Sequence, residues 1–276
     1  MGTRTHRRLE SGTDPGMTPD TVVIGTGNVA TDIARMLASC GRLAAVAARS
    51  VDKAQKIAGA YPGVKAVGLY NTTLPDAKFY ICAVTDPAIL HIAENIPDNG
   101  AVWIHTAGSV GIEIWAGHRS RYGVLYPLQT ISSLRPVDSS RIPWLIEADS
   151  SVTLQLIDSL ANSIGGWCVS PKNSSERALL HVAAVFACNF TNYILGEAFE
   201  FLEDRNIDPS ILKPLVERTV ENAFSGKSPH LLQTGPAVRG NKAVIESHIN
   251  RLPADSAETY RFLSDKIYRK HHPSEK

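Results

Sequence analysis

The sequence predicts an α/β fold, a doubly wound Rossmann-type domain followed by a second, all-helical C-terminal domain. Three observations carry this. Short apolar runs alternate with helix-like stretches from residue 21 to about residue 170. A glycine-rich turn, Gly25-Thr26-Gly27-Asn28-Val29-Ala30, follows the first of those runs. Past Pro171 the strand signal fades and helical periodicity takes over.

Strands are expected at 21–25, 43–48, 64–67, 78–84 and 101–105, then more loosely at 121–126 and 142–148, with 167–170 closing the domain. Helices are expected at 28–40, 51–60, 86–96 and 150–164. The third of these opens on Asp86-Pro87, read as a capping side chain followed by proline at the first helical position. Strand and helix in alternation imply a parallel sheet covered on both faces. Residues 174–205 read as one long helix, apolar nearly all round in its middle and therefore expected to be buried. The rest is helical, broken near Asp208-Pro209, at 225–230 and at 234–241. Residues 1–20 are polar and basic, and Arg7-Arg8 leads into no apolar stretch. They are expected to form a disordered tail rather than an export signal, with Met17 a possible start. The expected division is thus 1–20 tail, 21–170 dinucleotide-binding domain and 171–276 helical domain for substrate and dimerisation.

Composition narrows the function classes. Apolar content of 43% and charged content of 20% are those of a soluble globular protein. A net charge of +1 argues against a nucleic-acid or anionic-membrane surface, and no apolar run is read as long enough to span a bilayer. Cys40, Cys82, Cys168 and Cys188 are far apart and form no C-x-x-C pair, so neither a metal site nor a disulfide framework is expected. Reduced thiols in a cytoplasmic protein are the plain reading.

The glycine turn has the residue types that a dinucleotide cradle requires. Gly25 permits the sharp strand-to-helix turn, Gly27 lets the backbone approach a pyrophosphate, and the small Ala30 lets the helix pack closely. Free N–H groups and the helix dipole then favour the anion. Thr26, Asn28 and Val29 complete the turn. At the end of the second strand, where an NAD site places Asp or Glu, this chain has Arg49 and Ser50, with Lys53 nearby. A guanidinium suits a 2′-phosphate, so NADP is favoured over NAD.

Substrate is expected beyond the carboxyl ends of the strands. Thr85 and Asp86 follow the fourth strand, either meeting the cofactor ribose or capping a helix. Ala107 and Ser109, on the turn His105-Thr106-Ala107-Gly108-Ser109 after the fifth strand, are expected near the nicotinamide, Ala107 at the cofactor and Ser109 bonding substrate or cofactor. His105 reads equally as a satisfied strand-end histidine. In the long helix, His181, Asn189 and Asn192 are polar groups in an apolar stretch that need partners, either in a cleft or in ties between helices. Arg239 and Asn241 lie on a glycine-rich loop, with His248 on the next helix. Arg239 suits either a substrate carboxylate or an interdomain salt bridge.

The segments "VVIGTGNVA", "HTAGSV", "YPLQT", "LHVAAVFACNFTN" and "TGPAVRGN…H" occur in that order. Together they resemble two-domain Rossmann-like proteins whose helical C-terminal domain has no known function. These are similar to the wider 6-phosphogluconate dehydrogenase-like superfamily, which includes ketopantoate reductase, pyrroline-5-carboxylate reductase and deazaflavin-dependent NADP oxidoreductases. The resemblance covers nearly all of 21–270. It implies an NADP domain, a helical C-terminal domain and a homodimer through the C-terminal helices. Several relatives carry Lys four residues before the Asn at 189, where this chain has Val185. Asn241 stands where many relatives are expected to have Asp. The missing ammonium leaves His181 or His248 to supply a proton. The resulting expectation is an NADP-dependent oxidoreductase moving hydride between the cofactor and a small 2-oxo acid, ketopantoate-like, or an imine. Asn189 would orient the substrate, and Asn192, Ser109 and Arg239 would bind it. The alternative is a non-catalytic protein that binds or senses NADP(H).

Overall fold

The computed structural model describes residues 18–70, 72–132 and 135–273. The chain divides into two compact units between Phe186 and Ala187. Most of the expected tail lies outside the described residues. Asp20, at its end, is held fast: its carboxylate accepts Arg42 Nε at 3.0 Å and Nη2 at 2.7 Å, and its N–H donates to the Arg42 carbonyl.

The first unit is built on one eight-stranded sheet. Its strands are β1 (Thr21–Ile24), β2 (Leu43–Ala48), β3 (Lys65–Gly68), β4 (Phe79–Cys82), β5 (Val102–His105), β6 (Tyr122–Pro127), β7 (Pro143–Ala148) and β8 (Trp167–Val169). They are ordered β3-β2-β1-β4-β5-β6-β7-β8. Through β6 all pairings are parallel, and the order reverses between β1 and β4. At such a switch point two loops diverge and leave a crevice. The parallel sheet expected from strand–helix alternation holds through β6; β7, which the sequence places more loosely, pairs antiparallel with β6, while β8 runs parallel to β7. A parallel return needs a crossover helix, and the described part of the β6–β7 link holds only a short 3₁₀ turn, Ser139–Arg141.

Alternate side chains of each strand enter opposite cores. Val23, Val46, Ile81 and Ile104 pack with Ile33 and Leu37 of α1 (Asn28–Ser39), Ala54 of α2 (Val51–Ala58) and Ile157 of the later α4 (Ser151–Ser163). Val22, Ile24, Tyr80 and Trp103 pack with Ile89 and Ile92 of α3 (Asp86–Asn95). Burial on both faces explains why these strands read as continuous apolar runs.

The long helix is continuous but not uniform. α5 (Ser174–Ala184) passes through a π-helical segment, Val185–Phe190, into α6 (Thr191–Glu203). Its expected burial is corrected: Leu179 is 69% exposed and Phe186 66%, and Val182, Phe190 and Tyr193 are also exposed. The run Ser174–Glu203 is also long and apolar enough to cross a membrane by length and composition, an 18-residue window within it having a mean hydropathy of 1.5, which corrects the reading that no segment is. Both results have one cause, a helix apolar on more sides than its own chain covers. The second unit continues with α7 (Lys213–Ala223), α8 (Lys242–Ile249) and α9 (Ala254–His271).

Local geometry makes the β1–α1 turn sensitive to a single methyl group. Gly25 has φ +131°, and a Cβ there would lie 2.1 Å from the Ala83 carbonyl oxygen at the end of β4. Gly25→Ala is expected to cost about 2–4 kcal/mol, from left-handed backbone strain and the clash together. Urea denaturation measures this, and a loss below 1 kcal/mol (about fivefold in the unfolding constant) would show that the turn yields.

Candidate active site

At the switch point α1 begins without a capping side chain and without an acidic residue in its first turn. Its N-cap, Gly27, is extended, and a Cβ built there meets nothing within 4 Å. The first N–H groups of the helix therefore face open space. That space is a cavity of about 840 Å³. Gly25, Thr26, Gly27, Asn28, Val29, Arg49, Ser50, Thr85 and Ala107 all line it. Ala30 does not. It is fully buried, and its Cβ lies 3.3 Å from where a Gly25 side chain would start, so it sets the closeness of helix to turn. An unpaired helix N-terminus beside a roomy glycine turn fits the pyrophosphate of a dinucleotide.

Beyond β2 the same cavity is bordered by Arg49, Ser50, Lys53 and Tyr70. Ser50 caps α2, its hydroxyl accepting the Lys53 N–H at 3.4 Å. Arg49 is exposed. Burial pushes the Tyr70 phenol up, and the Arg49 guanidinium opposes that rise. The cationic groups thus stand together at this end of the cavity, and the residue that directly follows β2 is Arg49 rather than a carboxylate.

Beyond β5 the wall is made by the turn 106–111. Arg177 of α5, fully buried, holds that turn from behind. Its Nη1 donates to the Ala107 carbonyl at 2.6 Å and the Gly108 carbonyl at 2.8 Å, and its Nη2 to the Val110 carbonyl at 2.6 Å. Its Nε pairs with Glu147 of β7. The second Glu147 oxygen accepts Ser174 Oγ at 2.7 Å, and Ser174 Oγ in turn accepts the Ile112 N–H. His105 is buried beneath the same turn. Its Nδ1 accepts the Ala107 N–H at 3.2 Å, so the proton of the neutral ring sits on Nε2. Burial first, and then the charge of Arg177, push its pKa down to about 3. His105 is thus a neutral structural group.

His181, one turn beyond Arg177 on α5, stands over Gly108. A Cβ on Gly108 would lie 2.6 Å from His181 Nδ1. That Nδ1 is 2.8 Å from the hydroxyl of Tyr126, which ends β6, and the two rings meet edge to face. Ser109 Oγ donates to Asp86 Oδ2 at 2.9 Å. Asp86 is therefore not the helix cap: Thr85 is the N-cap of α3, without a side-chain bond, and Asp86 is the first helical residue.

Residues 142–267 match a domain of unknown function, DUF2520, and residues 21–107 match the model described as NADP oxidoreductase, coenzyme F420-dependent. A Bacteroides fragilis protein described as a candidate NADP oxidoreductase is 33% identical, over 91% of this chain and 98% of that one, with a TM-score of 0.82. The chain belongs to this family of NADP-dependent oxidoreductases. Two more distant structures share the fold. One is a reductive aminase from Aspergillus terreus in complex with NADPH and ethyl-5-oxohexanoate, at 13% identity, covering 92% of this chain and 95% of that one with a TM-score of 0.64. The other is a pyrroline-5-carboxylate reductase from Coxiella burnetii, at 17% identity, covering 91% and 99% with a TM-score of 0.56. No curated protein matches the chain.

The remaining family residues named from the sequence lie in the second unit. Asn189 falls within the π-helical segment and Asn192 just after it, and both are exposed. Arg239 is exposed and has no hydrogen bond or ion pair among the described residues. Asn241 caps α8, accepting the Val244 N–H at 3.2 Å, a place that Asn and Asp fill about equally well. His248 is exposed and pairs with Tyr260 at 2.7 Å. Sequence reasoning missed Arg177, Glu147 and Tyr126. The available signal was a charge inside each of two apolar elements, Glu147 in "PWLIEA" and Arg177 in "RALLHVAA". Such charges are stable only as partners.

Two outcomes follow from this geometry. Removing Arg177 strands a buried Glu147 and three carbonyls, so Arg177→Ala is expected to cost about 3–5 kcal/mol. Denaturant unfolding would measure it, and wild-type stability would show the pair to be idle. His105 stays neutral in the folded protein below the pH where it charges in the unfolded chain. Its contribution is therefore intact above about pH 6.5 and is lost as pH falls toward 3, at about 1.4 kcal/mol per pH unit. His105→Asn should remove that slope from the pH profile of the melting temperature.

Proposed function

We propose that this chain is an NADPH-dependent reductase of small imines, with 2-oxo acids as the second substrate class. The open cradle with His181 standing over the adjoining turn is the observation that carries the reading. NADPH, when bound, supplies a hydride. Gly25, Gly27 and the α1 N-terminus would receive its pyrophosphate, and Arg49, Ser50 and Lys53 its 2′-phosphate. The Arg177-held turn would present Ala107 to the nicotinamide side. His181, directly or through the Tyr126 hydroxyl beside it, would be the source of the proton that reduction of C=N or C=O requires. Asn189 and Asn192 would orient the substrate, and Arg239 would receive a carboxylate. Ser109, engaged with Asp86, would bind substrate only by giving up that bond. His248, bound to Tyr260, is the second candidate acid. The NADPH complexes of the reductive aminase and of an imine reductase from Aspergillus terreus support the imine class and the cofactor. A complex of a Myxococcus stipitatus imine reductase variant with NAD+ makes cofactor choice a matter for Arg49 itself.

We also propose that a second copy of this chain covers the exposed apolar run of α5 and α6. Leu179, Val182, Phe186, Phe190 and Tyr193 are the kind of large apolar surface that isolated chains rarely leave in water. Four free cysteines fit a reducing, cytoplasmic setting.

NADPH at 100 times its Kd is expected to stabilise the protein by about 2.7 kcal/mol, read as a rise in melting temperature. Arg49→Ala should weaken NADPH about tenfold or more while leaving NADH nearly unchanged. Oxidation of NADPH at 340 nm should appear with cyclic imines. Tight NADPH binding with no turnover across imines and oxo acids would instead establish a binding protein without chemistry. Light scattering should return twice 29.9 kDa, and a monomer without detergent would remove the dimer.

A further inference from the structure

The Tyr126–His181 contact has a chemical use that neither residue has alone. Tyr126 ends β6, on the carboxyl side of the sheet where the cofactor cavity opens. His181 comes from a different element, α5, yet its Nδ1 reaches the Tyr126 hydroxyl at 2.8 Å. Both rings close over Gly108: a Cβ there would lie 2.6 Å from His181 Nδ1 and 3.0 Å from Tyr126 Cζ. Glycine at 108 is thus what lets the pair approach the turn whose neighbour, Ala107, lines the cavity. Neither ring is fully buried, so both can meet a ligand. The turn cannot drift away, because Arg177 holds the carbonyls of 107, 108 and 110.

We propose that Tyr126 is the catalytic acid of this site and that His181 reloads it. This rests on the reductase reading above. In the reduction, the substrate carbon gains a C–H bond with the hydride pair, and the C=N or C=O π bond opens. The nitrogen or oxygen takes the proton of the Tyr126 hydroxyl with the freed pair. As that O–H bond breaks, the Tyr126 oxygen takes the Nδ1 proton of a His181 imidazolium. Tyrosine ends as a neutral phenol and histidine as a neutral ring carrying its proton on Nε2, with no tyrosinate left behind. In the neutral pair the phenol O–H donates to Nδ1 across the 2.8 Å contact. Solvent returns a proton to the ring before the next turnover. The position four before Asn189 holds an apolar valine, Val185, so it offers no proton there. The assignment also explains why His181 lies beside a tyrosine rather than a carboxylate. A carboxylate would hold the imidazolium in its charged form and has no proton of its own to give, whereas a phenol passes its proton on and takes the imidazolium's in exchange.

The test has two arms. In the unloaded protein, the ¹⁵N imidazole spectrum, with His181 assigned from His181→Gln, should show a hydrogen-bonded acceptor at Nδ1. Tyr126→Phe should abolish that signature while the other histidines keep theirs. With an imine that the wild type reduces, Tyr126→Phe should lower kcat by about 10²-fold or more while NADPH Kd stays within about twofold. His181→Ala should lose a comparable factor and recover part of it with added imidazole. A His181 resonance indifferent to Tyr126→Phe overturns the pair whatever the activity. Full kcat in Tyr126→Phe overturns the acid assignment and leaves the reductase reading standing. A wild-type protein that binds NADPH but reduces nothing overturns the reductase reading, and the proton transfer with it.

Discussion

One buried guanidinium organises the chemistry-bearing end of the first unit. Arg177 meets three backbone carbonyls and a carboxylate without a water molecule being required, and Ser174 satisfies the far oxygen of that carboxylate. Arginine suits this because its planar fork directs several donors at fixed angles. A lysine could not serve so many acceptors. The pair gains little from charge alone, since desolvating two ions offsets most of the attraction. What it contributes is position. It joins the β5 turn, β7 and the start of α5, three segments distant in sequence, at a single point.

That position sets the surroundings of two histidines. His105, under the turn, loses water on all sides and feels Arg177 beside it, so it stays neutral. His181 lies one helical turn further along, at the surface of the same cluster, where a phenol accepts or donates as needed. Two histidines that look alike in the sequence thus differ in burial and in partners. The same turn carries Ala107 at the cavity wall.

The long helix shows a different constraint. Its first two turns are tied to the Rossmann unit by Arg177, while its later side chains are apolar on more faces than this chain covers. Apolar surface of that kind is stabilised by burial in proportion to its area, whatever does the burying. Asn189 and Asn192 lie on this stretch without the cost that a dry interior would impose, because in the single chain they meet water. The π turn at 185–190 falls where the chain passes from one unit to the other, a common place for such an irregularity to carry function.

The sequence by itself determined the elements and the cradle. Strand runs, helical periodicity and the Gly25, Gly27, Ala30 pattern are local requirements of backbone geometry, legible within a dozen residues. Nine of the ten residues named for the cofactor line one cavity for that reason, and Ala30, the tenth, packs beneath it. The antiparallel turn of β7 was not legible, because pairing direction depends on what the 128–142 link can span. Nor were the partners of the polar groups. Arg177 finds Glu147 across 30 residues and His181 finds Tyr126 across 55. Only the tertiary structure decided these, since a hydrogen bond depends on distance in space and direction, and neither is written in the order of the chain.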